Sequence, residues 1–174
     1  MAWPEAMDNS FKRLVGWRRR VLPAAVTALL ALQIGTASAA GPFAPLSGTW
    51  LGGGMIDLPS GARERIRCRA IYVVSSSGHA FAQLLRCASD SFIVDIHSDV
   101  AEQRGAMAGS WSETTTGTSG NLIGEVRGSA VRATVTGFGF TAALSLVTRG
   151  RSQFVSIRLL GATSAGVTAA FHRE

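Results

Sequence analysis

Asp95-Ile96-His97-Ser98-Asp99 is the stretch whose side chains come closest to a reactive set. Alternate residues of an extended strand project to one side, about 6.5–7 Å apart. Asp95, His97 and Asp99 would therefore share a face. Such a row can supply two metal ligands, or an imidazole oriented by a carboxylate, as a metal-dependent hydrolase would need. It equally suits a solvated strand face that neutralises nearby arginines, and that simpler reading ranks first. Arg63, Arg65, Arg67 and Arg69 form a second alternating row, and Arg86 falls near it. Arg65, Arg67, Arg69 and Arg86 are the candidate anion-binding stripe, suited to carboxylates, phosphates or acidic glycans such as an acidic envelope component. The plainer reading of the same row is a cross-strand ladder of ion pairs. Glu113, close to Trp111, is the one other acidic residue worth testing as an acid or base.

Stronger signatures do not occur. Gly52-Gly53-Gly54 has no Lys-Ser/Thr and no helix behind it, so it reads as a strand bend or bulge rather than a phosphate loop. No serine stands in Gly-x-Ser-x-Gly. His79 and His172 fall at a turn and near the terminus, where a histidine is expected to be solvated. No catalytic residue, metal site or cofactor is assigned from the sequence.

The elements that must position these residues are strands. Glycine and serine punctuate the chain every eight to twelve residues or so, and apolar residues alternate with a period of two. The predicted strands are 48–57, 64–74, 79–88, 92–100, 106–114, 121–127, 130–136, 140–148 and 153–160, with a weaker tenth at 167–171. Their short connections imply antiparallel pairing of neighbours. If Ser77-Gly78 is a hairpin turn, Cys68 falls directly opposite Cys87, Tyr72 opposite Gln83, Ala70 opposite Leu85 and Val74 opposite Phe81. Opposed Cβ atoms stand about 4.5–5.5 Å apart, so a disulfide needs only slight closure. With Ser89-Asp90 as the next turn, Phe92 would meet Cys87, Val94 would meet Leu85 and Ile96 would meet Gln83. One face then holds Ile66, Cys68, Ala70, Tyr72 and Leu85. The other holds the arginines, Asp95, His97 and Asp99, giving a sheet with one buried and one wet side.

Eight or more strands in a meander leave exposed edges unless they close. The expected fold is therefore all-β, an antiparallel up-and-down meander of about 8–10 strands closing into a small barrel. A two-sheet sandwich is the alternative. A membrane barrel is disfavoured because the outward face is charged where lipid requires apolar side chains. Trp50, Tyr72, Phe92, Trp111 and Phe140 are the large inward residues, either plain core or the lining of a ligand site. An eight-stranded barrel can be filled by side chains or can hold one small ligand.

Upstream of the strands, residues 1–20 are polar and basic, Val21–Ile34 is apolar, and Ala37-Ser38-Ala39 supplies small residues. That order predicts a cleavable signal peptide over 1–39, with cleavage near Ala39 and a periplasmic or secreted product. The apolar stretch is short of the roughly 20 residues of a spanning helix, so no stable membrane span is expected after cleavage. Arg18-Arg19-Arg20 partly matches a twin-arginine signal; general secretion fits better. Residues 40–47 read as a short Pro-containing lead-in and 48–174 as one β-barrel domain. The whole chain of 174 residues carries a net charge of +6, but from Ala40 onward twelve Arg, no Lys and nine Asp or Glu leave only +3. So small an excess, outside the cell, argues against a nucleic-acid partner. An even pair of cysteines in an oxidising compartment reads as a disulfide.

Gly48-Thr49-Trp50 at the head of the first strand resembles the Gly-x-Trp that opens the barrel in lipocalins and related calycins, and in avidin-like barrels. Gly109-Ser110-Trp111 repeats it. The resemblance implies that Trp50 closes one end of a barrel and that the protein carries a small apolar ligand. The later Thr-Asp-Tyr lipocalin motif is absent. The runs Ser-Gly-Thr-Trp, Cys-Arg-Ala, Leu-Arg-Cys-Ala-Ser-Asp and Gly-Ser-Trp-Ser-Glu also resemble a group of uncharacterised small exported bacterial β-barrel proteins over residues 46–160. The expected function is thus a non-catalytic exported protein binding a small apolar or amphipathic ligand, with a structural envelope role next. Anion binding through the arginine face and a metal-dependent hydrolase at Asp95/His97/Asp99 are the alternatives.

Overall fold

The computed structural model describes residues 40–58, 60–161 and 165–174. The signal-peptide expectation falls on residues outside these. Ten strands follow one another: β1 (Gly48–Asp57), β2 (Arg63–Val74), β3 (Ala80–Ala88), β4 (Ile93–Gln103), β5 (Ala106–Glu113), β6 (Thr118–Arg127), β7 (Ala130–Gly137), β8 (Phe140–Arg149), β9 (Ser152–Leu159) and β10 (Gly166–Arg173). Each pairs antiparallel with its neighbours in sequence, and β1 also pairs with β10. The sheet closes on itself, so every strand has two partners and no edge is left to template aggregation. The sandwich alternative is thereby set aside.

The β2–β3 hairpin has the register predicted from the cysteines. Cys68 lies opposite Cys87, Ala70 opposite Leu85 and Tyr72 opposite Gln83. The two cysteines are bonded, with Cα atoms 4.1 Å apart. The β3–β4 hairpin departs from its predicted register by two residues. Val94, not Phe92, faces Cys87; Ile96 faces Leu85 and Ser98 faces Gln83. The cause lies in the turn. Ser89 donates its N–H to the Phe92 carbonyl at 2.9 Å, which makes Asp90-Ser91 the central pair. The Ser89 hydroxyl accepts from the N–H groups of Ser91 and Phe92 at 3.2 Å each, locking that turn. A slip of two leaves every side chain on its expected face, because side chains alternate with period two.

Gly52-Gly53-Gly54 pairs one-to-one with Cys68-Arg67-Ile66 on β2 and Phe171-Ala170-Ala169 on β10, so it is regular strand and not a bulge. A Cβ on Gly52 or Gly54 would run into the carbonyl oxygen of Ala170 or Thr168 on β10. Only glycine lets β1 curl this closely against its partner at the closing seam.

Residues 41–47 are more than a lead-in. Ala44–Leu46 makes a 3-10 turn beneath one end of the barrel. Gly41 donates to the Ser77 carbonyl at 3.0 Å and Phe43 to the Gly78 carbonyl at 2.9 Å, tying the segment to the β2–β3 turn. The backbones of Gly41 and Gly78 touch where a Cβ on Gly41 would stand 2.5 Å from a Gly78 carbon. Phe43 and Leu46 are buried there, and the Phe43 ring meets Phe81 edge-on at 4.9 Å. Trp50 is wholly buried with them. Its Nε1 donates to the Leu46 carbonyl at 2.7 Å, and the Arg173 guanidinium lies over its ring at 4.7 Å. Phe43, Leu46 and Trp50 form the floor of the barrel.

Candidate functional site: the barrel interior

Inward positions near the floor are filled. Ala70, Tyr72, Val100, Met107, Val126, Val131, Leu146 and Phe171 are all buried. Toward the other end the inward residues Leu85, Ile96, Leu144, Val155 and Ile157 face the interior yet remain only half-buried. Together with floor-end residues such as Leu46, Tyr72 and Phe171, they surround a cavity of about 290 Å³. That is close to the lower limit of small-molecule sites, roughly 300 Å³. The inward alanines Ala133 on β7 and Ala142 on β8 line the cavity and contribute little volume to the centre.

The wall is mostly aliphatic and aromatic, and among the described residues no side chain lining it carries a charge. Its polar groups gather on β2, β3 and β4. Gln83 donates from Nε2 to the Tyr72 hydroxyl at 2.9 Å. Tyr72 donates in turn to Gln153 Oε1 at 3.3 Å, and Gln153 donates from Nε2 to Thr148 Oγ1 at 3.4 Å. Burial pushes the Tyr72 hydroxyl well above its ordinary pKa, against the weaker pull of these two glutamines. It stays protonated, as its role as donor requires. Ser98, opposite Gln83 on β4, also lines the cavity.

Of the five large residues predicted to face inward, Tyr72, Trp111 and Phe140 line the cavity. Trp111 and Phe140 meet at 5.8 Å near the end away from the floor, and Trp111 Nε1 donates to the Thr136 carbonyl at 3.1 Å. Trp50 is part of the floor and does not line the cavity. Phe92 sits just before β4, half-buried against the core, and does not line the cavity. Gln83, Ser98 and Gln153 are interior residues that the sequence reading did not single out. Alternation alone assigns polar residues to solvent; only the Tyr72–Gln83 pairing within the predicted register pointed to one of them.

The arginine row is where it was expected, on the outer wall. Arg65, Arg67, Arg69 and Arg86 are all exposed. Arg69 stands opposite Arg86. Asp95 on β4 relieves that like-charge contact, 3.4 Å from Arg86, and Glu174 lies 4.0 Å from Arg69. Arg63 pairs with Asp57 at 2.5 Å. Among the described residues no carboxylate lies within ion-pair distance of Arg65 or Arg67. Asp95, His97 and Asp99 share the outer face of β4, but Asp95 is committed to Arg86. Among the described residues no three His, Cys, Asp or Glu side chains gather where they could hold a metal ion. His79 is not simply solvated, for its Nδ1 lies 2.5 Å from the Glu102 carboxylate across two turns at the floor end.

Glu113 caps a loop instead of pointing at a substrate. Its carboxylate accepts from the N–H groups of Thr115 and Thr116 at 2.7 Å each and from the Thr116 hydroxyl at 2.5 Å. These bonds, Thr116 first, hold its pKa down to about 2 against the opposing effect of desolvation. A carboxyl so acidic is ionised throughout the working range and is a poor proton donor. Its folded pKa lies below the unfolded value of about 4.3. Its contribution to stability is therefore full above that value and is lost as pH falls toward about 2. Thermal melts between pH 6 and pH 2.5 should show a smaller fall in Tm for Glu113→Gln than for wild type. Parallel curves would contradict the assignment.

No family model and no curated protein matches the chain. Solved structures do. Rv2717c from M. tuberculosis is 14% identical, with 75% of this chain and 94% of that one covered at a TM-score of 0.59. The S-type phycobiliprotein lyase CPES from Guillardia theta is 6% identical, with 76% and 90% covered at a TM-score of 0.54. The fold is a small lipocalin-like barrel. At these identities the likeness extends to the fold alone. The Gly-x-Trp resemblance agrees with it at one concrete point, since Trp50 closes one end of the barrel.

Proposed function

We propose that this protein is a non-catalytic binding protein that takes a small apolar or amphipathic molecule into the barrel. The observation that carries the reading is the unfilled apolar cavity of about 290 Å³ above a well-packed floor. An interior packed as densely as an ordinary core would leave no such space. Tyr72, Trp111 and Phe140 supply the aromatic wall; Trp50 and Phe92 support the barrel outside the cavity. A barrel of this shape also occurs in the S-type phycobiliprotein lyase, and the likeness supports the reading to that extent.

The Cys68–Cys87 bond and the basic, apolar, small-residue order of residues 1–39 support work outside the reducing cytosol after cleavage near Ala39. Among the described residues no helix is long and apolar enough to cross a membrane. N-terminal sequencing of protein recovered from the periplasm or medium should begin at Ala40.

Filling the cavity tests the binding reading. Val155, half-buried in the middle of β9, lines the empty space. Val155→Trp should cost less than the roughly 1–3 kcal/mol of overpacking a full core, and it should abolish the rise in Tm that a small apolar ligand such as toluene gives the wild type. An unchanged ligand response would show that binding lies elsewhere.

A second reading rests on Arg65 and Arg67, which stand exposed on one face without a carboxylate in reach. In that reading the outer wall of β2 and β3 docks an acidic envelope polymer. Replacing Arg65, Arg67 and Arg69 by serine should then lower the salt needed to elute the protein from an anionic glycan; unchanged elution would remove that face from consideration.

A further inference from the structure

The cavity wall is apolar except at one place, where a chain of hydrogen bonds runs from Gln83 through Tyr72 to Gln153. Tyr72 has a single proton, which it gives to Gln153 Oε1. It can therefore only accept from Gln83, so the Gln83 amide must turn its NH2 toward Tyr72. Gln83 Oε1 is left pointing away from that bond, with no partner among the described residues. Directly across the strand pair stands Ser98, whose hydroxyl likewise has no partner among the described residues and borders the cavity. Gln83 is two residues along β3 from Phe81, whose ring rests on Phe43 of the floor. The acceptor and the hydroxyl thus sit near the filled end of the space, beyond which the walls are hydrocarbon.

We propose that Gln83 and Ser98 form a subsite for one neutral hydroxyl group, so that the molecule bound in the barrel is an uncharged amphiphile, a long-chain or cyclic alcohol, held polar end inward. This rests on the binding reading above and specifies its ligand. A hydroxyl donates to Gln83 Oε1 and accepts from the Ser98 hydroxyl, matching both free positions. A carboxylate finds one donor and faces the Gln83 oxygen, an acceptor that repels it. An ammonium finds acceptors but no counter-charge. Among the described residues no ionised side chain lines the cavity to compensate either ion, and burying an unpaired charge in such surroundings is strongly unfavourable. The remaining hydrocarbon of the alcohol lies along Leu85, Ile96, Leu144 and Val155.

Methyl-resolved NMR titration of the whole protein at pH 7 with octan-1-ol, octanoate, octylammonium and toluene tests the subsite. Octan-1-ol should bind at least about tenfold more tightly than either ion. Gln83→Leu and Ser98→Ala should each weaken octan-1-ol by about three- to tenfold and leave toluene unchanged. Ser98→Ala removes only a hydroxyl with no partner among the described residues, so it reads the subsite even if Gln83→Leu disturbs Tyr72. Octanoate binding as tightly as the alcohol, or alcohol affinity insensitive to Ser98→Ala, would overturn the subsite while toluene binding left the cavity reading standing. Failure of all four compounds to bind would overturn both.

Discussion

Trp50→Ala is expected to lower stability by about 4 kcal/mol, the middle of the range for deleting a buried aromatic side chain. Three losses combine. The side chain is fully buried, so its removal forfeits contacts on all sides and leaves a void between Phe43, Leu46 and β10. The Leu46 carbonyl loses its hydrogen bond from Trp50 Nε1 at 2.7 Å. Arg173, which reaches over the ring and donates to the Pro45 carbonyl, loses the surface it rests on. The void cannot easily collapse, because the 3-10 turn is tied separately to Ser77 and Gly78. Urea denaturation at neutral pH measures the effect. A loss below about 1 kcal/mol would mean that the floor repacks without Trp50, since values that small belong to sites that relax. Trp50→Phe should recover part of the packing but not the bond to Leu46.

Removing the Cys68–Cys87 bond comes second, at about 3 kcal/mol. The bond joins directly opposed residues separated by 19 positions, and a loop of roughly that length loses about that much chain entropy when cross-linked. Its stabilisation acts chiefly on the unfolded chain, so Cys68→Ser with Cys87→Ser should still give the barrel, at a lower denaturation midpoint. The two single variants should behave alike, each with the added cost of a lone thiol in the cavity wall. Wild type melted with and without reductant should show the same difference as wild type against the double variant. Equal midpoints in all cases would show that the bond constrains nothing.

Much of this architecture was legible in the sequence because two independent signals met at one place. Turn chemistry at Ser77-Gly78 and the spacing of Cys68 and Cys87 required the same register, and period-two alternation marked the inward face of the remaining strands. The β3–β4 slip shows the limit of that reasoning. Ser89 could begin a two-residue turn or accept bonds from the two residues that follow Asp90, and alternation cannot separate registers that differ by two. The floor was less legible. Phe43 and Leu46 lie in a Pro-containing segment with no period, and their burial follows from where the barrel ends. The interior polar groups were hidden by the rule that found the strands, since Gln83, Ser98 and Gln153 occupy positions where alternation expects hydrocarbon. Glu113 was noticed for its chemistry, but Thr115 and Thr116 decide its role.

The central claim is that the barrel is hollow above its floor and takes a small molecule there. Diffraction from a crystal equilibrated with xenon tests it most directly, since dry apolar cavities of this kind bind the gas. The account predicts xenon among Leu144, Val155 and Ile157, inside the ring of strands. An interior with no xenon, and with those side chains closed over the space, would contradict it.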